Sequence, residues 1–298
     1  KWIVKFEIAC KDPLNFNSNL STIICKKGES SMIVVGELIN ASRKKMGEAI
    51  RNKDAEYIKK IAVDQFEAGA DFIDVNAGIF VDEEPEYLKW LVETVQSVVK
   101  APCSIDSPSP KAITTAMEAH QGDVAPMLNS ISLEKDRYEA LVPIVAGTDM
   151  KIVALCMSDE GMPETTDQRL AIADKLVNGM VQKNIPIGNI YVDPLVQPVS
   201  TNQTFGIEFL NAVKAIVDAF PGVHTMCGLS NISFGLPNRK HLNQAFAIMA
   251  IANGLDGLII NPLDKRMMAN MIAAETLAGK DEFCMSYLKA HRAEKFDL

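Results

Sequence analysis

Eight short apolar runs alternate with eight stretches of helical periodicity along this chain, in strict order from Met32 onward. The runs are 32–38, 71–75, 102–106, 125–129, 150–156, 189–193, 223–229 and 255–260. Helical spacing of apolar residues follows them over 54–68, 85–99, 109–119, 134–146, 167–184, 205–219, 238–252 and 265–278. Runs that are apolar at nearly every position suit strands buried on both faces, and parallel strands need a crossover helix between them. Eight such repeats predict a single-domain α/β fold, the TIM (β/α)8 barrel, which needs about 250 residues. An open doubly wound sheet is the rival, but no Gly-rich phosphate loop follows the first strand to support it. Gly69 and Gly254 stand where helices should stop, and Asp167 is expected to cap the helix it precedes. One additional helix is expected over 281–293.

The apolar runs end on carboxylates and amides: FIDVNAG (Asp74, Asn76), CSIDS (Asp106), MLNS (Asn129), YVDPL (Asp193) and GLSN (Asn231). In a parallel barrel every strand C-terminus lies on one face, so these side chains should converge on one pocket. A carboxylate only accepts hydrogen bonds and so suits a ring N–H beside an exocyclic amine; an Asn amide both donates and accepts. Such a pocket fits a flat ligand rich in N–H and C=O groups. Pro194 holds Asp193 extended, with its side chain aimed off the strand end. Gly228 reads equally as a bare stretch of the pocket wall and as a simple strand-end glycine, and Ser230 adds a hydroxyl. Glu37 and Asn40 close the first run and Asn261 the last; these three read equally well as caps and turn formers. Asp74 is expected to be structural, with Asn76 nearer the rim.

Other chemistries find little support. The net charge of −8 argues against nucleic acid or an anionic membrane surface as partner, and no apolar run reaches the length of a membrane span. Six cysteines without a C-x-x-C pair read as reduced thiols, with Cys103, Cys156 and Cys227 in the core, which points to the cytoplasm. There is no H-E-x-x-H motif, no His/Cys cluster and no G-x-S-x-G elbow, so neither a protein-bound metal nor a serine nucleophile is expected. The first 31 residues lack a clean period. They read as an N-terminal extension of expression-derived origin, leaving 32–298 as the one domain.

The series GELIN, GADFIDVNAG, CSIDS, MLNS, YVDPL and GLSNIS, in this order, resembles the pterin-binding methyltransferases. It is most similar to the methyltetrahydrofolate:corrinoid protein methyltransferases, and the resemblance runs from Met32 to the last helix. It implies a TIM barrel that moves a methyl group between N5 of tetrahydrofolate and the cobalt of a corrinoid (cobalamin), in either direction. By the same resemblance Asp106, Asn129 and Asp193 hold the pterin, Gly228 and Ser230 line the pocket, and Asn231 is the catalytic residue at N5. Arg239 of the PNR segment matches a family Arg; a contact to the folate tail, a contact to the partner and a plain surface ion pair stay open. Leu38 departs from the family's frequent GERIN, which puts that position's contribution in question.

No D-x-H-x-x-G corrinoid signature is present, so the corrinoid is expected on a separate protein that docks transiently. A homodimer is implied by the resemblance alone. Dihydropteroate synthase is the nearest rival, but it expects Ser-Arg-Lys on a late strand, where this chain has Ser230-Asn231-Ile232. The Ser42-Arg43-Lys44 segment lies in the first loop instead. A non-catalytic folate- or pterin-binding barrel, with the same pocket residues, is the alternative from a different class.

Overall fold

Each apolar run forms a strand whose two faces are both covered, one by the barrel interior and one by helices. The computed structural model describes residues 32–296; the extension read in 1–31, with Cys10 and Cys25, lies outside the described residues. The strands are β1 (Ile33–Asn40), β2 (Phe72–Asn76), β3 (Cys103–Asp106), β4 (Met127–Leu133), β5 (Lys151–Ser158), β6 (Ile190–Asp193), β7 (His224–Gly228) and β8 (Gly257–Ile260). All neighbours are parallel, and β1 pairs with both β2 and β8, so the sheet closes as the expected barrel. The helices between them are α1 (Lys44–Arg51), α2 (Ala55–Glu67), α3 (Glu84–Gln96), α4 (Pro110–Ala119), α5 (Lys135–Val145), α6 (Thr166–Gln182), α7 (Phe205–Ala219) and α8 (Arg239–Ala252). After β8 come α9 (Lys265–Leu277) and α10 (Met285–Arg292).

Strand alternation divides the core in two. Ile73, Ile105, Leu128, Ile152, Val192 and Leu258 face the helices, while Val35, Phe72, Met127, Val153, Tyr191 and Met226 fill the barrel. Two residues further along the inward row stand Glu37, Asp74, Asn129, Leu155, Asp193 and Gly228, so most of the interior turns from apolar to polar at its C-terminal end. Cys103, Cys156 and Cys227 are buried, as read from the sequence, whereas Cys284 is exposed.

Three local expectations are corrected, and one helix, α1, was not expected. Strand β4 occupies Met127–Leu133 rather than 125–129, because Pro126 has no N–H for the ladder and the alternation continues through Ile131. Asn129 therefore lies inside a strand, beside a register shift between Asn129 and Ile131. Thr165, not Asp167, caps α6: its hydroxyl accepts the Gln168 N–H while the Gln168 side chain returns to the cap backbone. Asp167 instead sits in the first turn, where a negative charge suits the helix dipole. The eight-residue α1 was too short to show a period, and the expected 281–293 helix is split into a turn at Glu282–Cys284 and α10. Gly69 (φ +105°) and Gly254 (φ +112°) stop their helices in the left-handed region, as expected.

Candidate active site

The β2–β3–β4 ladder sets Asn76 opposite Asp106 and Asp106 opposite Asn129, so three polar side chains share one wall. Asn76 Nδ2 donates to Asp106 Oδ2 at 2.8 Å, and Asn76 Oδ1 accepts the Gly78 N–H at 3.0 Å. One layer deeper, Asp74 accepts from Ser104 Oγ at 2.7 Å and from Asn129 Nδ2 at 3.4 Å. The Asn129 amide is thus turned so that its oxygen points away from Asp74. Burial raises the Asp106 carboxyl above the usual carboxylate range, partly offset by the Asn76 amide. Asp74 is raised further, first by burial and then by the charge of Asp106. The Asn129–Ser130 peptide is cis.

Across the barrel, Asp193 is buried and its Oδ1 accepts the Leu195 N–H at 2.8 Å. It is therefore a turn former and an inward carboxylate at once. Burial pushes its carboxyl up to about 7, against the pull of the Leu195 and Gly228 backbone N–H groups. On β7, Gly228 has an ordinary φ of −75°. A Cβ built there would meet nothing nearer than Asn231 Nδ2, at 3.6 Å. Neither backbone conformation nor protein packing demands glycine at this position; what its bareness leaves is room beside Asn231. Ser230 and Asn231 lie in a 3-10 turn, Leu229–Ser233, and Asn231 is exposed, with no side-chain hydrogen bond to any described residue.

The remaining candidates fall on the β7–β8–β1 side of the mouth. Glu37 pairs with Arg43 at 2.7 Å, and burial raises its carboxyl despite that cation. Asn40 Oδ1 caps its own turn by accepting from the Ser42 N–H and hydroxyl, and Asn261 Oδ1 does the same for the Leu263 N–H. Arg239 donates from Nη2 to Ser230 O at 2.6 Å and from Nε to Ser233 Oγ at 2.9 Å, bracing the turn that carries Asn231. One cavity of about 320 Å³ opens here beside Glu37, and another of about 830 Å³ opens on the β3–β5 side beside Asp106. A larger one, about 1150 Å³, lies at the opposite end, between Tyr191 and Met32, the first described residue. That is the strand N-terminal face, away from the convergent Asp and Asn side chains. Among the described residues no group of His, Cys, Asp and Glu is arranged to hold a metal ion.

Sequence reading missed the clamps that hold these loops. Arg137, on α5, donates to the carbonyls of Ser130, Pro108 and Ser107, at 2.6–2.8 Å, tying the β3 and β4 loops together. Arg169, on α6, has no exposed surface and donates to Pro194 O at 2.8 Å and Leu195 O at 3.4 Å, holding the loop behind Asp193. With Arg239, each clamp is an Arg in the first two turns of a helix reaching back to backbone carbonyls. An Arg in an early helical turn was the only trace of them in the sequence.

Residues 36–261 match the family described as pterin binding enzyme. Over 266 residues the chain is 34% identical to the methylcorrinoid:tetrahydrofolate methyltransferase of Eubacterium limosum, covering 89% of this chain and 97% of that protein. It is 29% identical over 257 residues to the methionine synthase of Mycobacterium tuberculosis, covering 82% of this chain and 21% of that longer protein. Among solved structures, a dihydropteroate synthase from Coxiella burnetii superposes with a TM-score of 0.66 at 17% identity, over 84% of this chain and 94% of its own. The dihydropteroate synthase of Thermus thermophilus gives 0.60 at 20% identity, over 83% and 94%. At those identities the structural matches speak for the barrel fold alone. The chain belongs to the pterin binding enzymes.

Proposed function

We propose that this pterin binding enzyme moves a methyl group between N5 of tetrahydrofolate and the cobalt of a corrinoid held by a separate protein. The observation that carries the reading is the gathering of Asp106, Asn129, Asp193 and Gly228 on the inner wall of one barrel end, in a chain so similar to the Eubacterium limosum methyltransferase. In this reading Asp106, Asn129 and Asp193 take the donor-rich edge of the pterin. Ionised Asp106 and Asp193 accept its N–H groups, and the Asn129 oxygen turned away from Asp74 accepts another. Gly228 leaves space for the ring, and Ser230 lines the same segment.

The chemical difficulty lies at N5. A neutral tertiary amine would leave as an amide anion, so a proton or a hydrogen bond that strengthens with developing charge must assist; such help is typically worth about 10²–10⁴-fold. Asn231 is not an acid. Its exposed and unengaged amide can rotate to accept from protonated N5 or to donate to developing charge. Cobalt(I) attacks the methyl carbon in line when folate is the donor; the reverse reaction passes through the same transition state.

Transfer is read directly in the visible spectrum of the cobalt. Enzyme, 5-methyltetrahydrofolate and cob(I)alamin are expected to give the methylcobalamin spectrum. Folate binding with no change in the cobalt spectrum, even with a corrinoid protein present, would leave a binding barrel and remove the enzyme. A homodimer working in the cytoplasm, apart from nucleic acid and membranes, belongs to the same reading. The dimer rests on the family resemblance alone; the net charge of −8 and the scattered thiols support the rest, and among the described residues no helix is long and apolar enough to cross a membrane. Analytical ultracentrifugation checks the dimer.

A further inference from the structure

Arg137 holds the chain at the residue that follows each of two proposed pterin contacts. Its Nη2 donates to Ser107 O at 2.7 Å, one residue past Asp106, and its Nε donates to Ser130 O at 2.8 Å, one residue past Asn129. Nη1 donates to Pro108 O at 2.6 Å. The β3–β4 ladder ends at the Asp106–Asn129 pair, and the Ser107 N–H adds one bond to Asn129 O at 3.2 Å. Beyond that bond it is the Arg137 guanidinium that ties the β3 loop to β4.

The same side chain answers an excess of negative charge. Asp106 has Asp74 on β2 and Glu84 on α3 as like charges, and Glu84 is buried with its Oε1 accepting from Ser107 Oγ at 2.6 Å. The Asn76 amide and Arg137 act against them, and among the described residues that act on Asp106, Arg137 is the one cation. All three of its nitrogens end on neutral carbonyls, so no contact carboxylate cancels its charge; Glu134 acts on it from the start of α5. A guanidinium stays ionised even where burial draws it down. Lys135, Asp136 and Asp159 line the same cavity of about 830 Å³ but are exposed, where water and salt screen them. We infer that Arg137 is a positioning residue for the pterin: it sets Asp106 and Asn129 at a fixed separation and supplies the positive charge that lets Asp106 meet the ring as a carboxylate. The pterin in this role rests on the proposed function, whereas the coupling of Arg137 to Asp106 is a property of the protein alone.

Taking a cation from beside a buried carboxylate keeps the carboxyl protonated to higher pH and leaves the ligand a weaker acceptor. Two measurements on the full chain test this. The first needs no folate: the carboxyl carbon signal of Asp106, identified by its loss in Asp106→Asn, is followed by carbon-13 NMR against pH. Its midpoint should rise by about half to one pH unit in Arg137→Gln and stay near normal in Arg137→Lys, which keeps the charge. The second is calorimetry with 5-methyltetrahydrofolate from pH 6 to 8. Arg137→Gln should bind about threefold to tenfold more weakly at pH 6, with the deficit shrinking toward pH 8. Arg137→Lys should show only a small loss, equal at every pH, from its missing fork. Should Arg137→Gln alone not fold, the same comparison is made in a Glu84→Gln background, where like charge is reduced and Ser107 keeps its acceptor. An Asp106 midpoint that Arg137→Gln does not move, or an affinity loss equal at every pH in that variant, would overturn the inference and leave a clamp that only shapes the loops. If the unaltered protein does not bind folate, the pterin reading falls, and the Asp106 titration still decides the coupling.

Discussion

Asn76 Nδ2 donates to Asp106 Oδ2 at 2.8 Å while the other end of the same amide accepts the Gly78 N–H at 3.0 Å. The amide cannot flip without losing both bonds, so Asp106 is held in one orientation with its second oxygen left for a ligand. Asn76→Ala is expected to weaken folate binding about tenfold with little effect on the rate of bound substrate. Asn76→Asp should be worse, because a second carboxylate drives Asp106 toward its protonated form. Fluorescence titration and single-turnover transfer separate the two effects; a loss confined to the rate would contradict the assigned role.

Asp193 gives the protein a pH dependence whose sign is fixed by burial. Its carboxyl titrates at about 7 in the fold, against an ordinary value of 3.8. Between those values the folded chain holds a proton that the unfolded chain has lost. The contribution to stability is therefore full below about 3.8 and is lost as pH rises to about 7, at about 1.4 kcal/mol per pH unit. Asp193→Asn removes that slope, and at pH 8 it should be about 2–4 kcal/mol more stable than the unaltered protein while binding folate poorly. Urea midpoints measured from pH 4 to 8 test this; parallel curves for the two proteins would contradict it. Folate affinity of the unaltered protein should also rise from pH 6 to 8 as the carboxylate ionises.

Gly228 is predicted to be a position for the ligand rather than for the fold. An added Cβ meets Asn231 Nδ2 at 3.6 Å, an ordinary contact, and the backbone φ of −75° accepts any residue. Gly228→Ala should keep its melting temperature within a few degrees and lose at least tenfold in folate affinity. A variant that binds folate normally would show that the space beside Asn231 is not where the ring lies.

Arg169 is the buried clamp behind Asp193. Arg169→Met leaves the Pro194 and Leu195 carbonyls without their donor, which should remove about 2–4 kcal/mol of stability and loosen the turn that fixes Asp193. Urea unfolding reads the first effect and folate titration the second. Unchanged values in both would show that the clamp is dispensable.

The barrel was legible in the sequence because burial on both strand faces leaves an unmistakable pattern: apolar runs of strand length, separated by helical periods. The inward Asp and Asn residues were legible for a related reason, since a polar group at the end of such a run has few places to go. Asn129 was found, although β4 begins at Met127 and runs on past it to Leu133. Pro126 could have marked the start of β4, which was instead placed at 125, and nothing in the sequence marks a register shift. The Arg clamps were not legible, because a side chain bonded to backbone carbonyls leaves no partner residue to recognise. Thr165 and Asp167 are both good capping residues, and only the reciprocal bond to Gln168 decides between them.

The most direct measurement is single-turnover methyl transfer between 5-methyltetrahydrofolate and cob(I)alamin, followed in the visible spectrum, with folate affinity measured on the same samples. The unaltered protein should form methylcobalamin. Asn231→Ala should slow that step by about 10²-fold or more while holding folate within a few-fold of normal affinity. An Asn231→Ala protein that transfers methyl at the full rate, or one whose loss is entirely in folate binding, would contradict the place given to Asn231 at N5.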